Sequence, residues 1–160
     1  MSLIPAESLE EGIRLCLSNT ERLLSDARYL DSDGRYSSAT LMAAIAIEEA
    51  GKGLTLLRTM KGNKAITNTE QRKLFRGHRF KIKKALAGVP HLRLDMKTPM
   101  PQSEVEEIGE IISNAVNSAK QEGTYVDWKK GKWHSPTIIE KDHLRSMAAN
   151  QIGTAEAIIE

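Results

Sequence analysis

The sequence predicts an all-α protein, a bundle of about five helices with an ordered loop before the last helix. Aromatic residues make up only 4% of the chain, and alanine, leucine and isoleucine supply most of its apolar side chains. These apolar residues recur at steps of three and four, which is the period of an amphipathic helix. Between Leu41 and Ile47 no polar side chain occurs. Such a stretch is typical of a helix that is buried on nearly all sides.

The first two helices are predicted at 6–30 and 36–60. One face of the first helix is lined by leucine, isoleucine and alanine at helical spacing. The connection between the helices, 31–34, reads Asp-Ser-Asp-Gly, and these residue types favour tight turns. The second helix contains the uninterrupted apolar stretch, so it is predicted to form the centre of the bundle.

Three more helices are predicted at 69–87, 103–121 and 137–158, because the same apolar period continues there. Gly77 lies inside the first of these and is a position at which that helix can divide into two pieces. The segment 123–136 differs in kind, since it holds both tryptophans, and it is predicted to be an ordered loop or a short hairpin.

Two acidic residues stand at the end of the apolar stretch, Glu48 and Glu49, and Lys52 follows them. A carboxylate on a buried helix is costly unless a basic group neutralises it. Glu48 and Lys52 have the spacing of a helical ion pair. Glu49 points about 100° away and needs another partner, for which His78 and Arg72 are the candidates. These acids and Lys52 are therefore predicted to organise a site or, equally, a buried polar network.

The segment 72–84 holds seven lysines and arginines and no acidic residue. Arg76, Arg79 and Lys81 are the side chains we expect to bind a nucleic-acid backbone, through salt-sensitive contacts to phosphate. The alternative is that this segment forms a solvated helix face. Net charge does not decide between the two, because it is only +2 for the whole chain.

Other features of the chain limit its chemistry. Cys16 is the only cysteine, so the chain has no internal disulfide, which fits a reducing cytoplasm. No stretch approaches the roughly 20 apolar residues that span a bilayer, and we expect no membrane association. Glu140 and His143 have the spacing found in di-iron bundles, but those bundles need a second such motif. We therefore expect neither a metal nor any other cofactor.

Aromatic side chains are concentrated in the segment before the last helix. Tyr125, Trp128 and Trp133 are predicted to anchor this loop or to form a surface for a partner, because their rings combine an apolar body with a polar edge.

The order of several motifs resembles the AbiV family of abortive infection proteins, which is similar to the HEPN superfamily of helical bundles. The resemblance covers most of the chain. It rests on Gly34-Arg35-Tyr36, Glu48-Glu49-Ala50-Gly51-Lys52, His78-Arg79-Phe80-Lys81, Tyr125-Val126-Asp127, Trp133 and Ser135-Pro136.

The resemblance implies a single HEPN-like helical bundle over 1–160, a homodimer, and a role in bacterial phage defence. Many HEPN proteins are metal-independent ribonucleases whose motif is an arginine followed by a histidine four to six residues later. Arg72 and His78 meet this spacing, although Lys73 replaces the polar residue that usually follows the arginine. On one straight helix Arg72 and His78 would point about 120° apart. A bend at Gly77 or pairing across a dimer is needed to bring them together.

Two functions remain open at the level of sequence. In the first, the protein is a toxin-type ribonuclease that acts on RNA as a dimer, with Arg72 and His78 as catalytic residues. In the second, it is a non-catalytic helical module that binds a phage or host protein. His78 is then a core residue that hydrogen-bonds to Glu48 or Glu49.

Overall fold

A computed structural model describes residues 4–62, 66–86, 102–129, 131–136, 139 and 141–159. In this part of the chain, six α-helices follow a single 3-10 turn at Ala6–Ser8, and a two-stranded hairpin precedes the last helix. The elements are α1 Leu9–Ser32, α2 Tyr36–Lys61, α3 Asn68–Arg76, α4 His78–Leu86, α5 Gln102–Glu122, β1 Asp127–Lys129, β2 Lys132–His134 and α6 Lys141–Ile159. The predicted all-α class is confirmed.

The third predicted helix is two helices, because the chain breaks at Gly77. A capping box starts α3, in which the Thr67 hydroxyl accepts from the Glu70 amide and the Glu70 carboxylate accepts from the Thr67 amide. Gly77 then adopts an extended conformation with φ −94° and ψ 93°, and its amide donates to the carbonyl of Lys73. A Cβ at Gly77 would lie 2.7 Å from that carbonyl oxygen. The glycine thus allows α4 to begin immediately, at His78, in a new direction.

The segment before the last helix forms a short antiparallel hairpin, one of the two forms predicted for it. Asp127 is opposite His134, and Trp128 is opposite Trp133 in the backbone register. Gly131 has a φ of +76°, a conformation that favours glycine and closes the turn. The last helix is described from Lys141 onward, whereas the sequence placed its start at 137. The first residues of the predicted helix, 137, 138 and 140, lie outside the described part of the chain.

The core is built around α2, as predicted from its apolar stretch. Its buried face is rich in alanine, so neighbouring helices approach closely. The main cluster joins Ile47 of α2 to Leu24 of α1, Ile82 of α4, Val116 of α5 and Ile152 of α6. Within the described residues, no helix is long and apolar enough to cross a membrane.

Two glycines of α2 sit where other helices touch its backbone. A Cβ at Gly51 would lie 1.9 Å from the carbonyl oxygen of Lys81 in α4, which is an impossible contact. A Cβ at Gly53 would lie 3.2 Å from the Cβ of Cys16 in α1, which is tight but tolerable. Gly51 therefore fixes how close α4 lies to α2, and with it the position of every residue on α4.

We expect Gly51→Ala to destabilise the protein by about 3 kcal/mol or more, because α4 must move away from α2 and the packing between them is disrupted. Urea unfolding monitored by circular dichroism measures the change. Gly153→Ala is the control, since Gly153 is an exposed helical glycine and a Cβ added there would meet no heavy atom within 4 Å. That change should stabilise α6 by about 0.5–1 kcal/mol. Equal effects at the two positions would contradict the close α2–α4 contact.

Candidate functional site

The site begins with a buried charge on the central helix. The side chain of Glu48 is only 4% exposed, and it lies on the face of α2 that packs against α4 and α5. A carboxylate at such a position is tolerated only if basic groups and hydrogen bonds replace its lost hydration. The partners of Glu48 therefore define the site.

Three basic side chains contact the Glu48 carboxylate. His78 Nδ1 lies 2.8 Å from Oε2, and Lys81 Nζ lies 2.7 Å from the same oxygen. Lys120 Nζ of α5 lies 3.0 Å from Oε1. His78 and Lys81 are three residues apart and share one face of α4. The cluster thus ties α2 to α4 and to α5 through one carboxylate.

These contacts determine the protonation state of Glu48. Burial by itself would raise the pKa of this carboxyl group, but the hydrogen bonds from Lys81, His78 and Lys120 outweigh burial. The net result is a pKa below the ordinary 4.5. Glu48 is therefore ionised at neutral pH and accepts the hydrogen bond that His78 donates from Nδ1.

His78 differs from the other members because its side chain is 58% exposed. The sequence-based alternative that placed His78 in the apolar core is therefore wrong about its burial. Of the two glutamates that the sequence left open as its partner, His78 bonds to Glu48, whereas Glu49, for which it was a candidate, pairs with Lys52. With Nδ1 held by the carboxylate, the second ring nitrogen, Nε2, remains for a ligand or substrate. A carboxylate that fixes the tautomer and orientation of an accessible imidazole is an arrangement suited to proton transfer.

Two predicted pairings are corrected by the structure. Lys52 pairs with Glu49 at 2.5 Å, three residues away, and not with Glu48 four residues away. The reason is that Glu48 turns toward α4 and α5, which supply its cationic partners. Arg72 is exposed on α3, and no hydrogen bond or ion pair between described residues joins it to Glu48, Glu49 or His78.

The predicted nucleic-acid-binding residues separate into two environments. Arg76 at the end of α3 and Arg79 in α4 are exposed. Lys81 is buried against Glu48, with a side chain only 6% exposed. Arg76 and Arg79 are therefore exposed close to His78 in the chain, whereas Lys81 belongs to the buried cluster.

Sequence reasoning missed Lys120. The residue is the only basic side chain in α5, and it follows the buried Val116 by four residues, on the same helix face. A single cation on the core-facing side of a helix that is otherwise acidic is a signal of a buried acidic partner. The signal could have been read from the sequence, but α5 alone does not show which acid it meets.

Glu49 and Lys52 belong to a different region. They line a groove of about 430 Å³ whose other walls come from the N-terminal turn, α1 and α3 and include Cys16 and Phe75. Burial raises the pKa of the Cys16 thiol; the ammonium of Lys52 opposes the shift and the Glu49 carboxylate adds to it. The thiol is therefore protonated at neutral pH and a poor nucleophile.

The predicted aromatic anchors occupy the hairpin region. Tyr125 and Trp133 are exposed, the latter by 62%. The side chain of Trp128 lies outside the described residues, as does Glu140 of the Glu140-x-x-His143 motif. His143 is exposed and lies 3.9 Å from Glu122. Among the described residues, no three histidine, cysteine or acidic side chains are grouped so as to hold a metal ion.

The helical bundle is that of a HEPN-like protein, because the chain matches a HEPN family model. The family model described as AbiV matches residues 8–158, which is nearly the whole chain. The chain therefore belongs to the AbiV family of abortive infection proteins, the family of phage-defence proteins that its motifs resemble. The comparisons with curated proteins and with solved structures gave no match.

We expect Glu48→Gln to lower the free energy of unfolding by about 3–5 kcal/mol at pH 7, because Lys81 and Lys120 would stay buried without a counter-charge. The pH dependence gives a second readout. Since the pKa of Glu48 is lowered by folding, the unfolded chain binds this proton more tightly. The stabilisation by the Glu48 carboxylate is complete above the pKa that Glu48 has in the unfolded chain. It disappears as the pH falls through the lower pKa that Glu48 has in the folded protein.

Urea unfolding of both proteins between pH 7 and pH 3 tests this expectation. The wild type should lose stability from near pH 4.5 downward. The difference in free energy of unfolding between the wild type and Glu48→Gln should shrink over that range. A difference that stays constant to pH 3 would show that the charge of Glu48 does not stabilise the fold.

Proposed function

We propose that this AbiV-family protein is a metal-independent endoribonuclease that acts in phage defence as a dimer, with His78 as its proton-transfer group. The observation that carries the proposal is the bond between Glu48 and an imidazole that is 58% exposed. A purely structural histidine in this cluster would not need an accessible ring. Two exposed basic side chains close to it in the chain, Arg76 and Arg79, suit an RNA backbone.

RNA cleavage without a metal needs two proton transfers. The 2′-oxygen attacks the neighbouring phosphorus, and a base removes its proton as the bond forms. An acid gives a proton to the 5′-oxygen as its bond to phosphorus breaks. Histidine can serve as either group near neutral pH. Because one imidazole serves one role at a time, two copies of His78 facing each other across a dimer would supply the base and the acid together.

Glu48 has a positioning role in this proposal. Its carboxylate holds Nδ1 of His78, so Nε2 is the nitrogen presented to the RNA. It also stabilises the positive charge that the imidazole gains when it takes a proton. Arg72 stays a candidate for contacting the phosphate, as the family motif suggests. In this proposal it acts from the partner subunit, because no hydrogen bond or ion pair between described residues joins it to His78 within one chain.

The hairpin supports the second candidate function, a non-catalytic module that binds a phage or host protein. Tyr125, Val126 and Trp133 are all exposed large apolar residues in one short segment of the chain. Aromatic side chains of this kind are enriched at protein–protein interfaces. In that case the Glu48 cluster serves only to hold α2, α4 and α5 together.

We expect His78→Ala to reduce RNA cleavage by about 10²- to 10⁴-fold, the usual contribution of a general acid or base. The measurement is the rate of cleavage of a labelled RNA by purified protein with a chelator present. His143→Ala is the matched control, because His143 is 57% exposed and also lies near a glutamate. The control should cleave like the wild type.

The same pair of variants separates the two candidate functions. If the wild type cleaves no RNA and His78→Ala still arrests growth in infected cells, the ribonuclease proposal is wrong and the binding module gains support. A folded His78→Ala protein that has lost both cleavage and growth arrest supports catalysis. Folding is checked by circular dichroism and by the urea midpoint.

We also expect Arg76→Gln and Arg79→Gln each to weaken RNA binding uniformly across sequences. The slope of log K against log salt should fall in magnitude by about 0.7 for each phosphate of a single-stranded RNA that the variant no longer neutralises. Fluorescence anisotropy over a series of salt concentrations measures the slope. Arg22→Gln in α1, where Arg22 pairs with Asp26, is the control. A slope that is the same in all four proteins would exclude this surface as the RNA-binding surface.

A further inference from the structure

The Glu48 cluster has more positive than negative charge. One carboxylate is shared by the ammonium groups of Lys81 and Lys120, so the net charge is +1 even when His78 is neutral. The two lysine side chains are only 6% and 12% exposed. A largely desolvated cluster is stable when its charges balance, and here one positive charge is left over.

The other acids described on the neighbouring helices do not supply the missing charge. Glu49 pairs with Lys52, and Glu110 pairs with Lys83. Glu122 lies beside His143. No further carboxylate among the described residues contacts Lys81 or Lys120. Among the described residues, the cluster therefore lacks one negative charge that a bound anion can supply.

We propose that Lys120, together with Lys81, forms an oxyanion site beside His78 that takes the phosphodiester group of a nucleic acid. An ammonium group has three N–H donors, and each lysine uses one of them on Glu48 within the described residues. A phosphodiester carries one negative charge on two oxygens, so it matches the net charge of the cluster. His78 is the exposed member, so the anion enters on its side, and Lys120 is the more accessible lysine.

This inference rests on the proposed function for the source of the phosphate, and it deepens that function. It assigns the stabilisation of phosphate charge to a lysine pair within the same subunit. Glu48 then has two effects, since it orients His78 and holds both ammonium groups near the place where the phosphate binds. Arg72 is not needed for this contact.

Thermal unfolding at constant ionic strength tests the site with two probes, inorganic phosphate and the deoxydinucleotide dTpdT, which has no 2′-hydroxyl to attack. Both should raise the Tm of the wild type in a saturable way, because a ligand that binds only the folded state stabilises it. Lys120→Met should weaken the binding of both probes at least tenfold. Lys83→Met is the control, since Lys83 also joins α4 to a glutamate of α5. The affinity of Lys83→Met for both probes should be within twofold of that of the wild type.

Equal binding by Lys120→Met and the wild type would overturn the proposal, as would the absence of binding in the wild type. Binding of phosphate but not of dTpdT would overturn the assignment to a phosphodiester. If Lys120→Met does not fold, Lys120→Arg keeps the charge and should bind both probes. NMR of the His78 ring in the wild type needs no variant, and ring signals that do not move with either probe also refute the site.

The outcome for this site and the outcome for the proposed function can be told apart. If the wild type binds dTpdT through Lys120 but cleaves no RNA, the site stands and the ribonuclease function fails. If the wild type cleaves RNA and Lys120→Met cleaves and binds equally well, the function stands and the site fails.

Discussion

The neutralisation of one buried carboxylate is the interaction on which the arrangement of α2, α4 and α5 depends. Glu48 would be intolerable at 4% exposure without Lys81, His78 and Lys120 around it. Two of those three residues reach it only because α4 lies directly against the backbone of α2. That approach is possible because Gly51 has no Cβ. A glycine and a glutamate three residues apart therefore act together, the first by allowing the approach and the second by requiring it.

Neighbouring positions on α2 serve separate regions of the molecule. Successive residues on a helix point about 100° apart. Glu48 consequently faces α4 and α5, and Glu49 faces the groove formed with α1 and α3. Each acid has its own basic partners, which explains why two adjacent carboxylates can be accommodated on one buried helix. The Glu49–Lys52 pair balances itself, whereas the Glu48 cluster has an excess of positive charge.

The helices and the need of the buried acids for basic partners were accessible from the sequence, because both follow from local rules. The sequence left open whether His78 bonds to Glu48 or to Glu49. An apolar stretch predicts a buried helix, and a buried acid predicts a basic partner. The remaining partners depended on tertiary geometry. Whether Lys52 pairs with Glu48 or with Glu49 is decided by which cations α4 and α5 bring to the same place. Lys120 is 72 residues from Glu48 in the chain, and no periodicity relates the two.

The residues of this site contribute differently to stability and to the proposed function. Glu48, Lys81 and Lys120 are buried in one charge network, so a substitution at any of them acts on stability as well as on chemistry. His78 is different, because its ring is mostly in solvent and little packing depends on it. The ion pairs of Glu48 with the two lysines hold the helices together, and they do not need an exposed imidazole. That exposed ring, held at Nδ1 and open at Nε2, is therefore the feature of the cluster that stability alone does not explain.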